Sequence, residues 1–156
     1  MHRQRTVKVV MYISPTPYHA ERIYAAAMYC SDGRIGDQVD EFLHHGIGFP
    51  RYDRLVCPGG PVALSGRLLA LWDARGVEEQ LRFLVEAHEL KTVVLVAHEG
   101  CAYYALRLRI PPAQIESEQR KDLEKATEAI RKLARGVTVQ CYLARHAGTG
   151  IGFERV

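Results

Sequence analysis

Residues 92–101 read TVVLVAHEGC. The first six form a continuous apolar run rich in β-branched side chains, with no polar face. Such a run belongs to a strand covered on both sides in a parallel sheet. It is also far too short to span a membrane. The sequence on either side supports the same reading. Upstream, VEEQLRFLVEAHEL places Val77, Leu81, Leu84 and Val85 on one helical face. Downstream, GCAYYALRL is expected to start a helix. Pro111 and Pro112 interrupt it, and IESEQRKDLEKATEAIRKLAR is a long amphipathic helix. VTVQCYLA is then a strand, AGTG a turn and IGFERV a last strand. Towards the N-terminus, RLVCPGG is a short strand ending in glycines. IGDQVDEFLHHG carries Ile35, Val39, Phe42 and Leu43 at helical spacing and closes on Gly46. RIYAAAMYC has helix-forming alanines but is short and apolar, and it is read as a buried strand. TVKVVMYIS (6–14) is read as a further strand, broken by SPTPYH with Pro15 and Pro17. Strands alternating with helices predict one α/β domain over residues 1–156, a mostly parallel sheet flanked by helices.

Composition narrows the function. The chain has 156 residues, 47% hydrophobic and 25% charged, as expected of one globular domain. Its net charge of +3 is small, and the basic residues of RKDLEKATEAIRKLAR alternate with acids along a solvated helix face. No clustered basic stripe is present, so nucleic acid is not an expected partner. The basic N-terminus lacks the apolar core and cleavage site of a signal peptide, and a cytoplasmic location is expected. In that setting the four cysteines are expected as thiols or metal ligands rather than disulfides.

The chemistry concentrates in two places. Residues 30–34 read CSDGR at the end of the predicted strand RIYAAAMYC, and HEGC follows TVVLVA. In open α/β sheets, sites form beyond the carboxyl ends of strands. If these two strands are neighbours, Cys30, His98 and Cys101 converge at one sheet edge. Cys101 would lie in the first turn of a helix, where the dipole favours a thiolate. Two thiolates and an imidazole suit zinc, and three protein ligands leave a fourth position open, the mark of a catalytic site. Asp32 and Arg34 form a charge-assisted pair that keeps Asp32 ionised. Asp32 then accepts a hydrogen bond from the zinc-bound water, whose pKa zinc lowers to about 7. The expected reaction is attack of zinc-bound hydroxide on a small electrophilic carbon, or hydrolysis.

CSDGR resembles the C-x-D-x-R motif of β-class carbonic anhydrases, and HEGC resembles their H-x-x-C motif. The resemblance runs from about Ile23 to Leu106 and rests on both motifs together. It implies Cys30, His98 and Cys101 as zinc ligands, with Asp32 and Arg34 beside the open position. It implies hydration of carbon dioxide to bicarbonate, four parallel strands with an added C-terminal antiparallel strand, and a homodimer with sites near the subunit interface. In some members the aspartate itself binds zinc, so Asp32 is an alternative fourth ligand. Three departures stand out. The family's R-N-A-G-N-like segment is replaced by CPGGPVALSG (57–66), where Gly59 and Gly60 are expected to keep the close backbone approach of a substrate pocket. The usual C-G is Cys101-Ala102. The N-terminal helical arm of many members is not evident. Relatives of this fold hydrolyse carbonyl sulfide or carbon disulfide, so a sulfur analogue stays open as the substrate, as does a zinc-keeping homologue without catalysis.

Other features receive plainer readings. Cys57 and Cys141 are expected as small core residues. His19, His44, His45, His88 and His146 are assigned no site role. GTGIG lacks the strand-to-helix setting and lysine of a phosphate loop and is read as a hairpin turn. Tyr103 and Tyr104 are candidates for the pocket wall or for the core. Without a C-x-x-C pair, thiol redox chemistry is a poor fit.

Overall fold

The computed structural model describes residues 11–156. Its strands are β1 (Ala25–Cys30), β2 (Asp53–Cys57), β3 (Thr92–His98), β4 (Thr138–Ala147) and β5 (Gly150–Arg155). They form one sheet in the order β2-β1-β3-β4-β5. β1, β2, β3 and β4 pair in parallel, and β5 is antiparallel to β4. The helices are α1 (Gly36–Glu41), continued by a wider π-helical turn Phe42–Gly46, then α2 (Leu71–His88) and α3 (Pro112–Leu133).

The apolar run in β3 has two buried faces, as its composition demands. Val93, Leu95 and Ala97 join Leu81 of α2 and Leu123 and Ile130 of α3. Val94 and Val96 join Val39 and Leu43 on the other face. β1 is treated the same way, with Met28 in the first layer and Ala25, Ala27 and Tyr29 in the second. The alanines of β1 therefore belong to a strand. Burial on both sides of a central strand overrides their helical preference.

Two expectations are corrected. Of the strand expected over 6–14, residues 6–10 lie outside the described residues, and 11–14 form no strand. Met11, Tyr12 and Ile13 are 79–83% exposed. Strand-like composition alone does not hold a segment in a sheet without burial of its side chains, and residues 11–14 have none. The helix expected from GCAYYALRL is a single π-helical turn, Tyr103–Arg107. Arg109 then takes a left-handed backbone conformation (φ 55°), and Pro111 and Pro112 lack the N–H groups to continue the ladder.

After β2 the chain makes a tight pass behind β1 through a short 3₁₀ turn, Gly60–Leu64. Gly60 has φ +55°, and a Cβ there would lie 2.8 Å from the backbone nitrogen of Cys30 and 2.8 Å from the carbonyl carbon of Tyr29. Gly66 also has positive φ, +74°, but faces open space. The two glycines separate backbone conformation from space. In urea unfolding, Gly66→Ala is expected to cost about 1 kcal/mol, the left-handed conformation alone. Gly60→Ala should cost about 3 kcal/mol, because backbone must also move. Equal losses would refute the close approach.

Candidate metal centre

Parallel pairing of β1 with β3 puts the ends of both strands at the same edge of the sheet. Cys30 ends β1, His98 ends β3, and Cys101 lies three residues further on, just before the turn Tyr103–Arg107. All three are buried, and their ligand atoms lie within 4.8 Å of one another, making a cluster able to hold a metal ion. The two sulfurs are 3.9 Å apart. In a tetrahedral zinc site with Zn–S near 2.3 Å the sulfurs stand about 3.8 Å apart.

His98 supplies the sharpest test of fit. Its Nδ1 lies 2.9 Å from the backbone oxygen of Glu99, which requires the proton to sit on Nδ1. Nε2 is then a lone-pair acceptor, and it is buried with no hydrogen-bond partner. An orphaned acceptor of this kind costs about 1–3 kcal/mol. Coordination of a cation relieves that cost, and the Nδ1–H···O bond is the usual device for orienting a metal-bound imidazole.

The sulfurs are surrounded by backbone N–H donors. Gly59 N donates to Cys30 Sγ at 3.3 Å, and the amide of Asp32 points at the same sulfur. The amides of Tyr103 and Tyr104 donate to Cys101 Sγ. These local amides take the place of the helix dipole expected at Cys101. Two thiolates 3.9 Å apart repel by about 4 kcal/mol at an effective dielectric constant of 20. Without a cation the pair therefore keeps one proton. A hydrogen bond from Cys101, aided by the backbone amides, lowers the Cys30 thiol well below its ordinary range. The Cys30 sulfur, with burial, raises Cys101. A divalent cation removes the conflict and lets both ionise.

Asp32 and Arg34 are paired as expected, across the turn that follows β1. Arg34 N donates to Asp32 Oδ1 at 3.0 Å, Nε to Oδ1 at 2.9 Å and Nη2 to Oδ2 at 2.5 Å. These bonds hold the Asp32 carboxyl far below the usual carboxylate range. Both carboxylate oxygens are engaged by Arg34, and Asp32 stands outside the three-residue cluster. Asp32 does share an open cleft of about 360 Å³ with Cys30, walled by Pro58, Ala102, Tyr103 and Leu106. Gly59 and Gly60 are buried behind Cys30, off the wall of that cleft. Their described contacts support the sulfur, and Tyr103 lines the cleft while Tyr104 is in the core.

Three contributors, Gln119, Asp122 and Arg67, escape a linear reading. Gln119 Nε2 donates to the backbone oxygen of His98 at 2.8 Å. Tyr104 O–H donates to Asp122 at 2.9 Å, and Arg67 grips the same carboxylate. One signal was available: the buried stripe of α3 runs Ile115, Gln119, Asp122, Ala126, Ile130, and two of its members are polar.

Sheet order and cluster together define an α/β protein of the β-carbonic anhydrase type. The fold is similar to the crystal structure of β-carbonic anhydrase isoform I from Trichomonas vaginalis (TM-score 0.52, 14% identity, 92% of this chain and 86% of that one). It is also similar to a carbonic anhydrase from Glaciozyma antarctica (TM-score 0.52, 12% identity, 83% and 80%). The chain belongs to the family described as "Putative carbonic anhydrase", whose model matches residues 20–149. An uncharacterized protein of Rickettsia conorii is 28% identical over 101 residues, 64% of this chain. The match covers 50% of that curated relative, so the chain spans about half its length.

If these three side chains hold the metal, Cys101→Ala should purify with less than a tenth of the zinc of the parent by elemental analysis, because structural-grade affinity needs both thiolates. Cys141→Ala, at a thiol bonded to Thr127 on α3, should keep its zinc. Stoichiometric zinc in Cys101→Ala would disprove the ligand set.

Proposed function

We propose that the chain, as one domain over residues 1–156, is a zinc lyase that hydrates carbon dioxide to bicarbonate. The observation that carries this reading is the buried, partnerless Nε2 of His98 beside two cysteine sulfurs at tetrahedral spacing. Cys30, His98 and Cys101 are the residues that would hold zinc. Bound zinc supplies Lewis acidity, lowering the pKa of a water to about 7.

The remaining work falls to the protein. Arg34 fixes Asp32 as an ionised acceptor, so the carboxylate orients a polar hydrogen in the cleft without taking the proton. Pro58, Ala102, Tyr103 and Leu106 offer an apolar wall to a small linear molecule of no net charge. The cleft opens to solvent, where a released proton passes to buffer. Gly59 and Gly60 bring the backbone against Cys30, and the Gly59 amide stabilises its sulfur.

The apolar wall also favours a second reading, hydrolysis of carbonyl sulfide or carbon disulfide. These larger, more polarizable molecules gain more from apolar contact. Leu106, 78% exposed at the mouth of the cleft, supports a homodimer or higher homo-oligomer in which a second copy covers it. Four cysteines without a disulfide fit a reducing compartment, which supports a cytoplasmic location.

Stopped-flow hydration of carbon dioxide by zinc-loaded protein at pH about 8.5, above the expected pKa of zinc-bound water, tests the reading. Rapid turnover that chelation abolishes is expected. Asp32→Ala should keep its zinc and lose about 100-fold or more in kcat, the range for removing one preorganised hydrogen-bonding group from a reacting centre. Full zinc with no hydration would reject carbon dioxide; the sulfur analogues and a non-catalytic role would then be separated by assaying sulfide release.

A further inference from the structure

Helix α3 turns two polar side chains into the interior behind the metal cluster. Gln119 is 1% exposed and Asp122 0% exposed. Each reaches an element that carries a candidate ligand. Gln119 binds the carbonyl of His98 itself. Asp122 receives the hydroxyl of Tyr104, which begins, with Tyr103, the turn whose amides donate to Cys101 Sγ. Arg67 completes the chain, donating from Nε to both Asp122 oxygens at 2.8 and 2.7 Å and from Nη2 to Glu118 at 2.5 Å.

Stability alone is a poor reason for this arrangement. A fully buried carboxylate loses its hydration, and Arg67 and Tyr104 only offset that loss. Apolar side chains of the same volume often serve a fold as well or better. What the polar groups add is direction. An apolar side chain fills space, whereas these bonds fix the His98 carbonyl and the first residues of the turn after Cys101.

We propose that Gln119 and the Arg67–Asp122–Tyr104 chain are positioning residues that hold the metal cluster in shape from behind and thereby set how slowly zinc leaves it. This rests on the zinc reading of the cluster. Outer partners of metal ligands act in this way through geometry, at about 10–100-fold in affinity each.

The test measures zinc release from the loaded full chain into excess chromophoric chelator, with thermal unfolding recorded on the same samples. Gln119→Met and Tyr104→Phe remove one donor each at nearly constant volume. Each should release zinc about 10-fold faster or more. In each, the cobalt-substituted protein should show shifted thiolate-to-metal absorption bands. Asp122→Asn should do the same. If it fails to fold, Tyr104→Phe still decides, because it leaves the Arg67–Asp122 pair intact. Leu81→Ala is the control, a truncation in the core on α2 that lowers Tm without touching these bonds. It should release zinc at the parent rate. Parent-like release and spectra in Gln119→Met and Tyr104→Phe would overturn the proposal, as would equally fast release in Leu81→Ala. A parent chain that takes up no zinc would overturn the metal reading itself, and this one with it.

Discussion

Two cysteine sulfurs held 3.9 Å apart in the interior are the constraint on which the site depends. Both cannot be thiolates at once without a positive partner, and burial removes the water that would otherwise screen them. The surrounding structure reads as a response to that charge. Backbone amides of Asp32, Gly59, Tyr103 and Tyr104 point at the sulfurs. His98 presents an unused lone pair to the same space. What the protein cannot supply from neutral dipoles is a net positive charge, and this is what a metal ion brings.

The sheet makes the approach possible. β1 and β3 are neighbours in parallel register, so chemistry at both carboxyl ends meets at one edge. β1 also pairs with β2, aligning Cys30 with Cys57 and setting the glycine turn behind Cys30. That turn needs Gly60, since any side chain would strike the backbone of Tyr29 and Cys30. The CPGG segment, which departs from the usual family pattern, thus has a role that can be stated in contacts: its backbone supports the Cys30 sulfur. Asp32 and Arg34, by contrast, satisfy each other at the cleft and leave the cluster at three side chains.

Much of this was legible in the sequence because it depends on local pattern. TVVLVA can be buried on both faces only as a central strand, and CSDGR and HEGC each follow such a strand. Parallel neighbours then bring Cys30, His98 and Cys101 together. Misreadings arose where tertiary context decided. Residues 11–14 have strand-like composition but pack against nothing that would bury it, and Met11, Tyr12 and Ile13 stay exposed. Residues 103–107 have helical composition but are cut short at Arg109 and the two prolines. Gln119 and Asp122 sit on a helical stripe that periodicity marks as buried, yet their partners, His98, Tyr104 and Arg67, are 18 to 55 residues away. Only packing of α3 against the end of β3 reveals them.

The central claim is a three-ligand centre of Cys30, His98 and Cys101 with a fourth position open. X-ray absorption at the zinc edge of the loaded protein tests it most directly. The account requires two sulfur scatterers at about 2.3 Å and two nitrogen or oxygen scatterers at about 2.0–2.1 Å. A shell of nitrogen and oxygen alone, or of four sulfurs, would contradict it.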